Sequence, residues 1–222
     1  MAFHKDSRHL YQVTDWSVFS WLDHGFGTRR AGQWAPAEHT ATLKQIHSDI
    51  VVRVNGHRGQ IGEGDALVTN EPGVHLTIRT ADCVPVLLHD PERRVIAAVH
   101  AGWRGTAAAI VTKTVARMQQ EFASSPAGIH AAIGPCIQAC CYEVGPDVAV
   151  QFAPWFPELA AARAPVRIDL VEANRRQLIA AGLPAVAIAH ACTQCTDAEF
   201  HSFRRDKDAS GRMVSGIAIR EL

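Results

Sequence analysis

The sequence predicts one mixed α/β domain. Short apolar runs closed by Gly, Pro or Asp-rich turns recur along the chain, and they outnumber the stretches with helical spacing. The helical stretches fall mainly in the second half, and no internal repeat, low-complexity tract or linker divides the 222 residues. Residues 1–222 are therefore read as a single domain, long enough to bury an ample core.

The elements follow in order. HGFGTRR, residues 24–30, reads as a strand ending in a glycine turn, and a polar loop containing Ala and Pro covers 31–38. A short helical stretch is expected through TATLKQIH, 40–47. Strands are expected over 49–54, 66–69, 74–78, 84–89 and 95–100, each bounded by turn residues. From 106 to 122 the pattern becomes helical, with Ile110, Val111, Thr114, Val115 and Met118 three or four apart. A strand over 129–133 stops at Gly-Pro-Cys, and helices are expected over 144–156 and 170–181, the second closed by Gly182 and Pro184. Strands over 186–191 and 213–219 complete the chain.

Composition narrows the function classes. Apolar content of 47% and charged content of 20% are those of an ordinary soluble protein. Lys plus Arg equals Asp plus Glu, so there is no electrostatic case for nucleic acid or an anionic membrane as partner. The segment MAFHKDSRHLYQ has no apolar core, which argues against a secretory signal, and no apolar stretch reaches a membrane span. A cytoplasmic protein is expected; the sequence sets no oligomeric state.

Six cysteines are too few for a disulfide scaffold at this length. Cys192 and Cys195 have CxxC spacing, yet no second CxxC or HxxxH pair exists to complete a structural zinc site. Cys140 and Cys141 are adjacent, so their side chains are expected to diverge and serve as packing residues.

Two segments carry the candidate chemistry. In VIAAVHAGWRGT, residues 95–106, an apolar run ends in His100 and is broken by Gly102 and Gly105, placing the imidazole at the carboxyl end of a strand. In VHLTIRTADCVPVLL, Asp82 and Cys83 sit in a break between two apolar runs. With His47 they offer two imidazoles and a thiolate, a zinc set that leaves a fourth position open. Cys83 and His100 would equally suit a thiolate–imidazole pair for nucleophilic catalysis, and a bare histidine at a strand end is often only a hydrogen-bonded structural group. Arg29, Arg30, Arg104, Arg204 and Arg205 flank predicted loops and suit phosphate or carboxylate, or pair with surface acids. Phe200, Phe203 and Trp103 offer stacking faces, or core.

Several separate motifs match one family. LKQIHSDIV, EGDALVT, TADCVPVLL, VHAGWRGT, IGPCIQACCYEV and CTQCTDAEFHSFRRDKDASGRM, in this order over 43–213, resemble the YfiH-like, laccase-domain purine nucleoside phosphorylase family. HGFGTRR is similar to that family's HGFSTR segment. The resemblance implies an α/β fold, a single domain of layered mixed β-sheets with flanking helices, of the cysteine-hydrolase-like kind. It implies an active-site zinc held by His47, Cys83 and His100. It also implies phosphorolysis of adenosine, inosine, guanosine and S-methyl-5′-thioadenosine, and hydrolytic deamination of adenosine to inosine. Asp82 would then move protons or orient a ligand. Arg29, Gln45, Arg104, Phe203 and Arg205 are the candidates for nucleoside and phosphate.

Two departures bear on the pocket. The segment between HGFGTRR and LKQIH is short and lacks the family's Asn-Leu-Gly stretch, and Phe203 stands where the family's FSYRRD motif has Tyr. Older family labels keep two alternatives open: a copper-binding polyphenol oxidase, or a cysteine hydrolase using Cys83 and His100. The oxidase is the weaker, because multicopper sites use HxH pairs and none exists here.

Overall fold

Why the strands are so apolar is answered by what covers them. In the Val95–Ala101 strand, Ile96 and Ala98 point into one core while Val95, Ala97, Val99 and Ala101 point into another. Side chains alternate across a sheet, so a strand buried on both faces has no position left for a polar residue except at its ends. The structure, a computed structural model, describes residues 2–32 and 36–221. The expected loop over 31–38 therefore lies partly outside the described residues.

A six-stranded sheet forms the centre. Its order is Val186–Ile188, His130–Ile133, Val84–Asp90, Val95–Ala101, Ala66–Thr69 and Val51–Arg53. The two outer pairs are parallel and the inner ones antiparallel. A five-stranded sheet packs against one face, in the order Leu22–Gly25, Met213–Ile219, His75–Thr80, Thr40–Lys44 and Gly59–Glu63. Leu67, Leu87 and Ile96 of the first sheet meet Leu76, Ile78 and Ile217 of the second. The opposite face is covered by the Ile110–Phe122 and Leu170–Ala180 helices through Ile110, Val115, Met118 and Leu178. The result is the layered α/β fold with mixed sheets and flanking helices that the sequence implied.

Four expectations need correction. TATLKQIH is not helical: Thr40–Lys44 is a strand, with Ala41 and Leu43 buried and the residues between them facing out. Its period is two, and five residues rich in Thr are too few to distinguish by eye from one helical turn. The helix expected over 106–122 is two helices, Trp103–Ala107 and Ile110–Phe122, separated at Ala109 with φ 58°. The stretch 144–156 is a strand end, one turn of α-helix at Pro146–Ala149 and a 3-10 turn at Val150–Phe152. Gly145 and Pro146 start that turn late, and the chain is pinned first by pairing of Glu143 with Arg167. Finally, Cys140 is exposed and is not a core packing residue, whereas the half-buried Cys141 packs against the core.

Candidate active site and metal centre

Three turns at one edge of the sheets bring His47, Cys83 and His100 together. His47 follows the Thr40–Lys44 strand, Cys83 lies between His75–Thr80 and Val84–Asp90, and His100 is the penultimate residue of Val95–Ala101. Their donor atoms all lie within 4.8 Å of one another. His47 (φ 58°) and Asp82 (φ 84°) both adopt left-handed backbone, a conformation costing about 1–3 kcal/mol that surrounding contacts must hold.

Asp65 supplies those contacts for His47. Its carboxylate is fully buried and accepts from the backbone N–H of Ile46, His47 and Ser48 and from the Ser48 hydroxyl, fixing the His47 turn. Oδ1 also accepts from His100 Nδ1 at 2.8 Å, which leaves Nε2 of that imidazole to face the other donors. Burial alone would raise the Asp65 pKa, but the bonds from His100 and Ser48 outweigh it and hold the group down at about 2. Burial would likewise lower the His100 pKa; hydrogen bonds to Asp65 and Cys83 raise it instead, to about 9.

Gly102 keeps the centre open. A Cβ there would lie 3.1 Å from His47 Nδ1 and 3.3 Å from Cys83 Sγ, inside the space the donors share. Gly105 lets the Trp103–Ala107 helix approach the Ser48 carbonyl, where a Cβ would come within 2.8 Å. Buried Asn174 and Gln177 of the Leu170–Ala180 helix donate to Thr106, securing the same turn from behind.

These donors open onto a cleft of about 870 Å³. Its walls include Arg79, Arg104, Trp103, Tyr142, Phe203, Arg204 and Arg212. The Arg104 guanidinium stacks on Trp103 at 4.4 Å, and the side chains of Arg79 and Arg104 have no hydrogen-bond or ion-pair partner among the described residues. Phe203 is 45% exposed, with Lys207 Nζ and the Arg212 guanidinium 5.9 and 6.0 Å from its ring centroid. Burial pushes the Tyr142 hydroxyl up to about 12, so it stays protonated at neutral pH.

The family described as multi-copper polyphenol oxidoreductase laccase matches residues 28–220. This chain belongs to that laccase-domain family. A purine nucleoside phosphorylase of Deinococcus radiodurans is 45% identical over 192 residues, 83% of this chain and 73% of that protein. A protein named adenosine deaminase, from an unknown prokaryotic organism, is 40% identical over 161 residues, 69% of this chain and 61% of that protein. The crystal structure of the Bacillus licheniformis hypothetical protein YfiH aligns with a TM-score of 0.90 at 28% identity, covering 98% of this chain and 99% of that one.

The laccase-domain structure sorts the sequence candidates. His47, Cys83 and His100 form a possible metal site, and Arg104 and Phe203 line the cleft beside it. Gln45 also lines the cleft, but both ends of its amide are spent on the backbone of Arg79, at 2.8 Å each. Asp82 accepts from the Thr193 hydroxyl at 2.7 Å and from the Arg204 N–H at 2.6 Å, so its oxygens brace the 193–206 loop. Arg205 is committed within that loop, to Asp206, Asp197 and the carbonyls of Thr193, Gln194 and Phe200. Arg29 pairs with Asp197 at 3.2 Å and approaches His201 Nδ1 at 3.5 Å, and it is not among the residues that line the cleft. Of the shortened segment after HGFGTRR, none of the described residues 31, 32 and 36–42 lines the cleft.

Sequence reasoning missed Asp65, Arg79, Tyr142 and Arg212. Asp65 stood inside the EGDALVT motif, and an acid just before a fully apolar strand was a usable signal. Arg79 is the single charged residue in the Leu76–Thr80 run, which was equally visible. Tyr142 and Arg212 stood inside the motifs IGPCIQACCYEV and CTQCTDAEFHSFRRDKDASGRM, but only the tertiary fold brings them to the cleft.

Proposed function

We propose that this chain is a zinc-dependent purine nucleoside enzyme. It would carry out phosphorolysis of adenosine, inosine, guanosine and S-methyl-5′-thioadenosine to the free base and the (methylthio)ribose 1-phosphate, and hydrolytic deamination of adenosine. The observation that carries the reading is the convergence of two imidazoles and one thiol on a cleft with two unpaired guanidinium groups. The names of the relatives point the same way. In this reading residues 1–222 act as one catalytic domain, in the cytoplasm, where six free thiols stay reduced.

The donor set fits zinc. Two imidazole nitrogens and one sulfur are the ligands of an open catalytic site, the space between them is free because residue 102 is glycine, and His100 is oriented by a carboxylate. Bound there, zinc supplies Lewis acidity toward a substrate oxygen or a water.

The chain's own groups do the rest. Phosphorolysis breaks the C1′–N9 bond and forms a bond from C1′ to a phosphate oxygen; the electron pair leaves with the base, which takes up a proton. Arg79 and Arg104 would hold the phosphate by forked, charge-assisted hydrogen bonds. Phe203 would stack on the purine, and the protonated Tyr142 hydroxyl can donate to the departing base. Asp82 would hold the loop bearing Phe203 in place, without itself moving a proton.

The test is incubation of metal-quantified protein with adenosine, with and without phosphate, separating adenine from inosine. Phosphate-dependent adenine supports phosphorolysis, and inosine in either buffer supports deamination. Neither product from zinc-loaded protein would overturn the proposal. The closeness of the Cys83 sulfur to the His100 imidazole, within 4.8 Å, favours one second reading, a cysteine hydrolase. Alkylation separates the two: a free Cys83 thiolate reacts at once, whereas a metal-bound one is protected until a chelator is added.

A further inference from the structure

Outside the cleft, four cysteine sulfurs from two turns converge. Cys140, Cys141, Cys192 and Cys195 place their Sγ atoms within 4.8 Å of one another, with separations of 3.6 Å for 140–141, 3.8 Å for 140–195 and 3.3 Å for 141–195. A tetrahedral tetrathiolate zinc with bonds of 2.3 Å has edges of about 3.8 Å, close to these values. All four are free thiols.

The backbone brings the two turns into register without help from any metal. Cys136 and Cys192 form a parallel bridge, Cys136 N–H donates to the Ala191 carbonyl at 3.3 Å, and Thr193 N–H donates to the Cys136 carbonyl at 3.1 Å.

We propose that Cys140, Cys141, Cys192 and Cys195 form a second, structural site that binds one zinc ion through four thiolates. Binding forms four Zn–S bonds and releases the four thiol protons to solvent. The half-site missing from the CxxC pattern is thus the adjacent pair Cys140–Cys141, which a search for a second CxxC passes over. The site would brace a wall of the cleft. Tyr142 follows Cys141 directly, and Thr193, next to Cys192, donates to Asp82.

The experiment compares zinc content per chain in wild type and in the Cys140→Ser/Cys195→Ser double variant. Both are purified under reduction, loaded with zinc and desalted. The double variant should hold one zinc fewer than wild type, whatever the cleft site holds; Cys83→Ala should lose a different one. To keep the test independent of the double variant's folding, the wild type is also mapped by thiol alkylation. The exposed Cys140 and Cys195 should react slowly with zinc present and quickly after chelation. Equal zinc content in the two proteins, alkylation indifferent to zinc, or a disulfide among these four in reduced wild type would overturn the proposal.

Discussion

Asp65 and His100 are joined by a buried hydrogen bond: His100 Nδ1 lies 2.8 Å from Asp65 Oδ1, with 3% and 0% of the two side chains exposed. The same carboxylate gathers the amides of Ile46, His47 and Ser48. One residue therefore orients two of the three presumed ligands. Asp65→Asn would turn an amide N–H₂ toward donors at either Ser48 or His100. Zinc affinity should fall roughly 10–100-fold, read by competition with a chromophoric chelator. Unchanged affinity would show that the carboxylate is only structural.

Gly102→Ala isolates the metal centre from the fold. Residue 102 has φ −66°, which alanine adopts freely, so the backbone should not object. The added methyl group would press on His47 Nδ1 and Cys83 Sγ. Zinc occupancy should drop while the thermal midpoint of the metal-free protein stays within a few degrees of wild type. A variant that binds zinc normally would place the metal elsewhere.

Two arginines of the sequence-derived anion set, Arg104 and Arg205, should now behave differently. Arg104→Ala should raise the phosphate KM roughly 10–100-fold, the scale of one charged hydrogen bond, and leave adenosine deamination nearly unchanged. Arg205→Ala should instead loosen the 193–206 loop and lower stability, since its guanidinium is spent on that loop's carbonyls and acids. Steady-state kinetics with varied phosphate, beside thermal melts, separate the two effects.

Acid should destabilise the fold through two buried histidines. Burial lowers the His24 pKa to about 4 and the His89 pKa to about 2. His24 Nε2 accepts from Val13 N–H, and neither ring nitrogen of His89 has a partner among the described residues. Both are therefore neutral when folded, whereas an unfolded histidine titrates near 6.5. Their contribution is fully present above pH ~6.5 and is lost as pH falls, each by about 1.4 kcal/mol per pH unit once the unfolded state is protonated. For His24 the loss ends near its folded value of about 4. His89→Phe keeps the packing on Trp16 and Phe19 and should remove one of the two slopes, seen in urea denaturation between pH 6.5 and 4.5. An unaltered slope would mean that His89 is protonated in the fold.

The elements most legible in the sequence were those whose burial is complete. The 66–69, 84–89 and 95–100 strands read correctly because both faces are covered and polar residues are excluded. Thr40–Lys44 misread because one face meets solvent and Thr serves both structures. The possible metal trio was legible because His100 ends an apolar run, Cys83 sits in a break between two, and His47 lies in a motif that resembles the family's. Asp65 was not chosen because its role depends on three amides and an imidazole far along the chain. Cys140 and Cys141 were misjudged for the opposite reason: adjacency suggested divergence, yet a turn brings their sulfurs to 3.6 Å.

In the proposed reaction, nucleoside phosphorolysis depends on a zinc ion held by His47, Cys83 and His100. The most direct measurement follows phosphate-dependent adenine release from adenosine in wild type and Cys83→Ala, with zinc counted in the same samples. The wild type should release adenine, and the variant should lose both one zinc and the activity. Adenine released at the wild-type rate by a variant lacking that zinc would contradict that dependence.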